Sequence, residues 1–332
     1  MDQLFTYKSF VHAFSGAVGG TSAITLFYPL NLARSKLMVS DDVKRKSTLE
    51  LLLGIVKTDG FRALYQGWWS SVVSLGASNF VYFYMYNGLK IALTSYYARQ
   101  GKSTTIGPIM NLVLASIAGV INVLMTTPLW VVGSRLTVQN KDQNAKKKPY
   151  TGILDGLTRI AREEGVGALW NGTGPSIILV SNPTIHFVVY ERLREFMLKR
   201  VNLRGYEITP IEFFIMGAIA KMVATVVTFP LQIAQSRLRT SRVESKKKQQ
   251  AEKETGKASP NSEPTYTGTI DVLGKLYAKD GFKGWFRGME AKLWQTVLTA
   301  AFQFSVYEQI QMFVFWLLLR DKYQSQSALH NK

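Results

Sequence analysis

Apolar residues gather in six long stretches, near 10–38, 68–97, 108–138, 170–200, 209–239 and 286–319, separated by polar segments. Each stretch exceeds the ~20 helical residues that cross a hydrocarbon core. None is a clean apolar run, because Gly, Pro, Ser, Asn and Lys interrupt all six. That mixture suits helices that face lipid on one side and a polar cavity on the other. A large soluble helical protein is the competing reading. Between the stretches, residues 47–58, 150–163 and 266–279 predict short amphipathic helices. In the second of these, Ile153, Leu154, Leu157 and Ile160 recur at helical spacing. Residues 240–265, rich in Lys, Gln, Glu, Ser and Pro without an aromatic, read as a flexible loop insertion.

The same unit is written three times. Asp59-Gly60, Glu164-Gly165 and Asp280-Gly281 are each followed by an aromatic residue and then by Gly67, Gly172 and Gly288, eight positions after the acid. Tyr150-Thr151-Gly152 with Asp155 recurs as Tyr266-Thr267-Gly268 with Asp271. Pro29, Pro128 and Pro230 mark the same place in each third and predict helix kinks there. One unit cannot bury its own polar face, but three around an axis can enclose a cavity. The expected fold is an all-α membrane protein of six transmembrane helices in three tandem repeats, with pseudo-threefold symmetry and short amphipathic loop helices. The repeats span 8–100, 107–203 and 209–318, followed by a tail at 319–332.

Charge narrows the partner. With 40 Lys+Arg against 22 Asp+Glu, the net charge of +18 fits an anionic ligand or membrane surface. The cations lie in loops without a nucleic-acid motif, so no nucleic-acid partner is expected. The chain has no cysteine and only three histidines, His12, His186 and His330, so no metal site is expected. No signal or transit peptide opens the sequence, which makes internal targeting the expectation. Lys and Arg are about equally dense in the two sets of loops, so the positive-inside rule does not orient the chain. No catalytic constellation falls inside the repeats; no enzyme activity and no cofactor are expected.

Pro followed by basic residues, then acid-Gly and aromatic-x-Gly, three times over, resembles the mitochondrial carrier family, solute carrier family 25. The resemblance covers roughly residues 8–315. The segments Ser78–Tyr84, Thr126–Val132, Ala168–Thr173 and Glu290–Ala301 are similar to the family's peroxisomal branch, whose cargo is coenzyme A, FAD, NAD and adenine nucleotides. The resemblance implies exchange of such solutes across the peroxisomal membrane by alternating access, with both termini in the cytosol. It also implies a monomer, with a peroxisomal membrane-protein import receptor as a partner. A mitochondrial inner-membrane carrier for NAD, FAD, folate or pyrimidine nucleotides is the alternative, and a non-transporting docking protein the alternative of another class.

The resemblance also places two gates and a site. The family closes its matrix-side gate with acid–base pairs after each proline. Here the acid positions are Asn31, Trp130 and Gln232, and the basic positions Arg34, Gly133 and Gln235. No charge pair survives, so amide hydrogen bonds and one arginine are expected to hold this gate weakly; capping of the kinked helices is the plainer reading. At the opposite, cytoplasmic-side gate, Lys90 is expected to meet Glu191, Arg194 to meet Glu308, and Gln311 to meet Asn87. Solvated helix ends with local pairs are the alternative there. The substrate positions implied by the family are Ser74, Ser78 and Asn79, then Ile178, Leu179 and Asn182, then Gln295 and Thr296. Tyr82 is the aromatic placed to stack on a base.

Two lysines come from the residues themselves. Lys292 lies one turn from Thr296 on the same face, and Lys221 breaks a small-residue pattern. Gly16-x-x-x-Gly20 and Ala115-x-x-x-Gly119 let helices approach, whereas the third copy reads Gly217-x-x-x-Lys221. Intramembrane lysines are costly, which marks both as candidates for substrate phosphate. Snorkelling to headgroups is the alternative for Lys221.

Overall fold

A computed structural model describes residues 22–39, 47–101, 103, 105–139, 149–204, 209–241, 266–299 and 301–302. The Gly16–Gly20 contact, Glu308, Gln311, nearly all of the 240–265 insertion and the 319–332 tail lie outside these residues. The described residues are helical, with no strand among them. In chain order the helices are α1 (Tyr28–Val39), α2 (Thr48–Asp59), α3 (Trp68–Arg99), α4 (Pro108–Val138), α5 (Ile153–Glu163), α6 (Thr173–Leu179), α7 (Asn182–Arg204), α8 (Pro210–Thr240), α9 (Thr269–Asp280) and α10 (289–299). Three short 3-10 helices, Phe61–Tyr65, Val166–Trp170 and Gly281–Phe286, follow α2, α5 and α9.

The short helices α2, α5 and α9 fall where the sequence places amphipathic segments, and their first turns explain the motifs there. Ser47 and Glu50 close a reciprocal capping box at the start of α2. In the later copies the cap is the Asp of the Tyr-Thr-Gly motif. Asp155 accepts from the Thr151 backbone N–H at 2.9 Å, and Asp271 from that of Thr267 at 2.9 Å. The Thr151 N–H bond, with Arg159 nearby, holds the Asp155 carboxyl below the usual carboxylate range.

Each short helix packs on the second half of a long one, giving three separate apolar cores. Tyr28, Leu32, Leu51, Ile55 and Leu64 form the first; Val132, Leu136, Ile160 and Leu169 belong to the second. Phe229, Ile233, Leu238, Val272 and Leu276 form the third, which also takes in Met38 from α1. The three proline-bearing elements α1, α4 and α8 contact one another pairwise. Core and contacts therefore concentrate at one end of the bundle, called here the proline end.

The prolines are accommodated in different ways. Pro128 and Pro230 lie inside α4 and α8, whereas Pro29 follows a turn at Phe27. A proline ring frees the carbonyl four residues earlier. For Pro128 that carbonyl is Leu124, and the Trp170 indole N–H donates to it at 2.8 Å. Near Pro29, the Trp68 indole donates to Thr25 Oγ1 at 3.1 Å. Beside Pro230, Phe286 instead stacks on Phe229. A fourth proline was not expected to break its helix. Pro183 divides the 170–200 stretch into α6 and α7, with a turn at residues 180–181. The Ser181 hydroxyl donates to the Ile178 carbonyl at 2.7 Å across that break.

Among the described residues two helices, Pro108–Val138 and Ile211–Thr240, are long and apolar enough to cross a membrane. Their most apolar windows are only 22% and 33% buried, leaving Ile117, Leu124, Met125 and Val227 on the outside. The six expected spans are thus matched by two on this criterion. The physical reasons are visible: α3 carries serines and asparagines along its 32 residues, and the fourth stretch is broken. The first and last stretches extend beyond the described residues.

Candidate functional site

The proline end is fastened by contacts that run from one third of the chain to the next. Gly67, Gly172 and Gly288 start the even-numbered stretches with φ of 76°, 82° and 74°, a region that disfavours any side chain. Each sits against a helix of the next third. A Cβ on Gly67 would lie 2.6 Å from Thr137 Oγ1, and one on Gly172 3.1 Å from the Gln235 carbonyl. On Gly288 it would lie 3.2 Å from Leu37 Cβ. The repeated glycine is therefore a contact point as well as a turn.

Polar braces follow the same direction. The Gln66 amide donates to the Leu136 and Gln139 carbonyls at the end of α4, at 3.1 and 2.5 Å. Arg135 donates to the Arg239 and Ser241 carbonyls at the end of α8, at 3.2 and 2.8 Å. Arg237 donates to the Met38 carbonyl near the end of α1 at 2.9 Å. These donors satisfy carbonyls that a helix C-terminus leaves orphaned. Arg135 also forms a bidentate pair with Glu164, at 2.6 and 2.9 Å, with both side chains 3% exposed. Arg287 pairs with Asp280 in the third copy, and Lys36 lies in the field of Asp59 in the first. The acid of the repeated acid-Gly motif is thus an anchor for a basic residue. The sequence shows the acids at a fixed place in each copy, but their basic partners stand at different distances in the chain, so it does not reveal that they meet.

The expected matrix-side gate residues occupy this end, but their partners differ from the expectation. Asn31 Oδ1 accepts from Arg34 within its own helix at 2.9 Å and from Gln295 of α10 at 3.5 Å. Gln235 donates to the Ser176 hydroxyl of α6 at 2.7 Å, and Gln232 to Thr228 in its own helix at 3.1 Å. Gly133 faces Ser74, whose fully buried hydroxyl donates to the Leu129 carbonyl at 3.2 Å. Trp130 offers its ring face to Arg239, with the guanidinium carbon 5.5 Å from the centroid. No hydrogen bond joins the six gate positions of different repeats to one another; even-numbered stretches supply partners to Asn31, Gly133 and Gln235.

Above these residues, cations converge. Lys221 on α8 reaches Asn182 Oδ1 at 3.4 Å, and Asn182 in turn donates to Thr228 Oγ1 at 2.8 Å. Lys292 on α10 lies within electrostatic reach of both Lys221 and Arg34, and Arg34 within reach of Arg239. None of the four pairs with a carboxylate among the described residues. Arg34 Nε, Arg239 Nε and Gln295 Oε1 are buried without a hydrogen-bond partner. Lys221 is exposed and the other three are partly buried; cations this close repel one another unless an anion joins them. Arg239 escaped the sequence reading. Its signal was available: nine residues after the proline the first two copies carry Met38 and Thr137, and the third an arginine.

The other candidates scatter along the bundle. Ser78 exchanges hydrogen bonds with Asn122 of α4, at 2.9 and 3.2 Å, and Asn79 is exposed. Tyr82 stacks on Tyr86, which donates to Asn111 Oδ1 at 3.2 Å. Ile178 is 51% exposed and Leu179 ends α6 at the break. The Thr296 hydroxyl turns back to the Lys292 carbonyl at 2.8 Å. His186 lies 3.3 Å from the Gly217 carbonyl, so it joins α7 to α8 beside Lys221. Among the described residues no cluster of His, Asp or Glu could hold a metal.

At the far end the expected contact between Lys90 and Glu191 is not made in this conformation, while those expected of Glu308 and Gln311 lie outside the described residues. Asn87 and Lys90 are exposed, and Glu191 is 3.8 Å from Arg194 of its own helix instead of meeting Lys90.

Comparison with known proteins adds the family. The family model described as "Mitochondrial carrier protein" matches three segments, residues 5–97, 104–201 and 206–316. "Peroxisomal membrane protein PMP34" of Mus musculus is 41% identical over 325 residues, covering 96% of this chain and 97% of the relative. "Peroxisomal nicotinamide adenine dinucleotide carrier" of Arabidopsis thaliana is 32% identical, covering 90% and 94%. "Nicotinamide adenine dinucleotide transporter 2, mitochondrial" of the same plant is 30% identical, covering 93% and 82%.

Proposed function

The chain belongs to the mitochondrial carrier family, and on that footing we propose that it exchanges nucleotide-type cofactors across the peroxisomal membrane. The cargo would be coenzyme A, FAD, NAD, AMP and related adenine nucleotides. The observation that carries this reading is the convergence of Lys221, Lys292, Arg34 and Arg239 without a carboxylate partner. Phosphate is the group shared by all these cargoes, and several cations are needed to strip it of water. Asn182 and Gln295 flank the cations and supply amides for polar parts of the cargo, while Ser78, Asn79 and Tyr82 lie farther along the proposed path.

Six spans in three repeats around a pseudo-threefold axis are part of the proposal. The three matched segments and the three separate apolar cores support it. So do the polar braces that run from each third to the next. In the proposed cycle cargo enters from the end where Lys90 and Glu191 are apart. Pairing of Lys90 with Glu191 and Arg194 with Glu308 then closes that end as the proline end opens. The peroxisomal assignment is supported by the names of the mouse relative and one plant relative. The chain is proposed to transport without catalysing a reaction.

Liposomes containing the purified protein test this directly. Coenzyme A, FAD, NAD, AMP or ATP is loaded inside and labelled AMP supplied outside. Uptake that depends on internal coenzyme A, FAD or NAD is the expected result. No uptake with any of them, from folded protein, contradicts it. The mitochondrial NAD relative favours a second reading, an NAD exchanger of the inner membrane. Localisation of the tagged full chain in cells separates the two.

A further inference from the structure

Within the cation cluster proposed to receive cargo phosphate, the arginines at the proline end are out of balance. The six gate positions there contain one cation, Arg34, and no carboxylate. Arg239 adds a second guanidinium within electrostatic reach of the first. Their side-chain hydrogen bonds go to neutral groups: Arg34 donates to Asn31 at 2.9 Å, and Arg239 to the Ser176 hydroxyl at 3.2 Å. Each also keeps a buried Nε–H with no acceptor. Leaving such a donor unpaired costs more than an ordinary hydrogen bond returns. A closed gate built this way is self-repelling.

We propose that a phosphate dianion, free or as the phosphoryl group of a nucleotide, binds between Arg34, Arg239 and Lys292 and locks the proline end shut. Its oxygens supply the acceptors that the two guanidinia lack, in the planar, forked geometry that arginine favours. The three cations belong to α1, α8 and α10, so the anion ties the first third of the chain to the last. Trp130 brings in α4, because its ring already carries Arg239. The anion therefore does from outside what a carboxylate at Asn31, Trp130 or Gln232 would do from within. This role as a lock rests on the carrier reading; anion binding itself does not.

The test is thermal unfolding of the purified full-length protein at constant ionic strength. Inorganic phosphate, AMP, adenosine and chloride are compared. Phosphate or AMP should raise the midpoint saturably, and adenosine and chloride should not. Arg34→Gln and Arg239→Gln should each weaken the apparent affinity at least about tenfold, the ratio expected for one lost charge-assisted bond. In Asn31→Asp/Gln232→Glu the midpoint should rise without phosphate, and added phosphate should have little further effect. A shift with AMP alone assigns the anion to the nucleotide, and a shift with both assigns the site to phosphate generally. No shift with either, or an undiminished shift in both arginine variants, overturns the proposal. Nucleotide exchange in liposomes without anion stabilisation sinks the lock and leaves the carrier reading. Anion stabilisation without exchange does the reverse.

Discussion

The two ends of the bundle are built on different physics. At the proline end, capped helix ends and close glycine contacts recur in each third of the chain, and the middle third adds the buried Arg135–Glu164 pair. At the other end, Asn87, Lys90, Glu191 and Arg194 sit near solvent with only local i,i+3 pairing. The first arrangement is held by many desolvated contacts that must break together. The second consists of exposed charges whose individual pairs contribute ~0–1 kcal/mol. Among the described residues, the proline end is therefore the harder of the two to open.

The largest effect should come from breaking a buried brace. Glu164→Ala strands Arg135 among the carbonyls of Arg239 and Ser241, and removing one partner of a buried pair costs about 3–5 kcal/mol. Thermal unfolding should show a large loss, and a loss comparable to that of Glu191→Ala would erase the contrast between the ends. Next comes the repeated glycine. Gly67→Ala puts a Cβ 2.6 Å from Thr137 Oγ1 at a φ of 76°, and the strained backbone alone costs about 1–3 kcal/mol. Gly54→Ala, which meets nothing within 4 Å, is the control in the same assay. Trp170→Phe keeps the ring and removes the N–H that serves the carbonyl freed by Pro128. A loss of about 1–3 kcal/mol is expected, and no loss would mean that water replaces the indole. The smallest effect belongs to the far end, where Arg194→Gln should change stability by less than about 1 kcal/mol. Its effect should fall on exchange rate, and a variant exchanging at the wild-type rate would count against Arg194 as a gate residue.

Much of this architecture is legible in the sequence because it is written three times. Asp59, Glu164 and Asp280, and the glycines eight residues later, stand out by repetition, and the structure gives both a task. The break before Pro183 was less legible, since the same residue type inside α4 and α8 does not end those helices. In α4 the Trp170 indole serves the freed carbonyl, a tertiary contact that the sequence does not display. Within the candidate site, Lys221 and Lys292 are conspicuous as charges in apolar stretches. Arg239 is not, because it follows Arg237 at a helix end where basic residues are ordinary. Its meaning comes from lying near Arg34, more than 200 positions away in the chain. The partners of Asn31 and Gln235 were hidden for the same reason. Repetition predicts that gate positions meet one another, whereas Gln295 and Ser176 meet them instead.

The central claim is that cations inside the bundle receive the phosphate of the cargo. Nucleotide exchange by Lys221→Ala and Lys292→Ala in liposomes tests it most directly, with incorporation matched to the unsubstituted protein. Each variant should lose at least about tenfold in exchange, as expected when one charge-assisted contact to a phosphate is removed. Exchange at the unsubstituted rate in both variants would contradict the phosphate assignment.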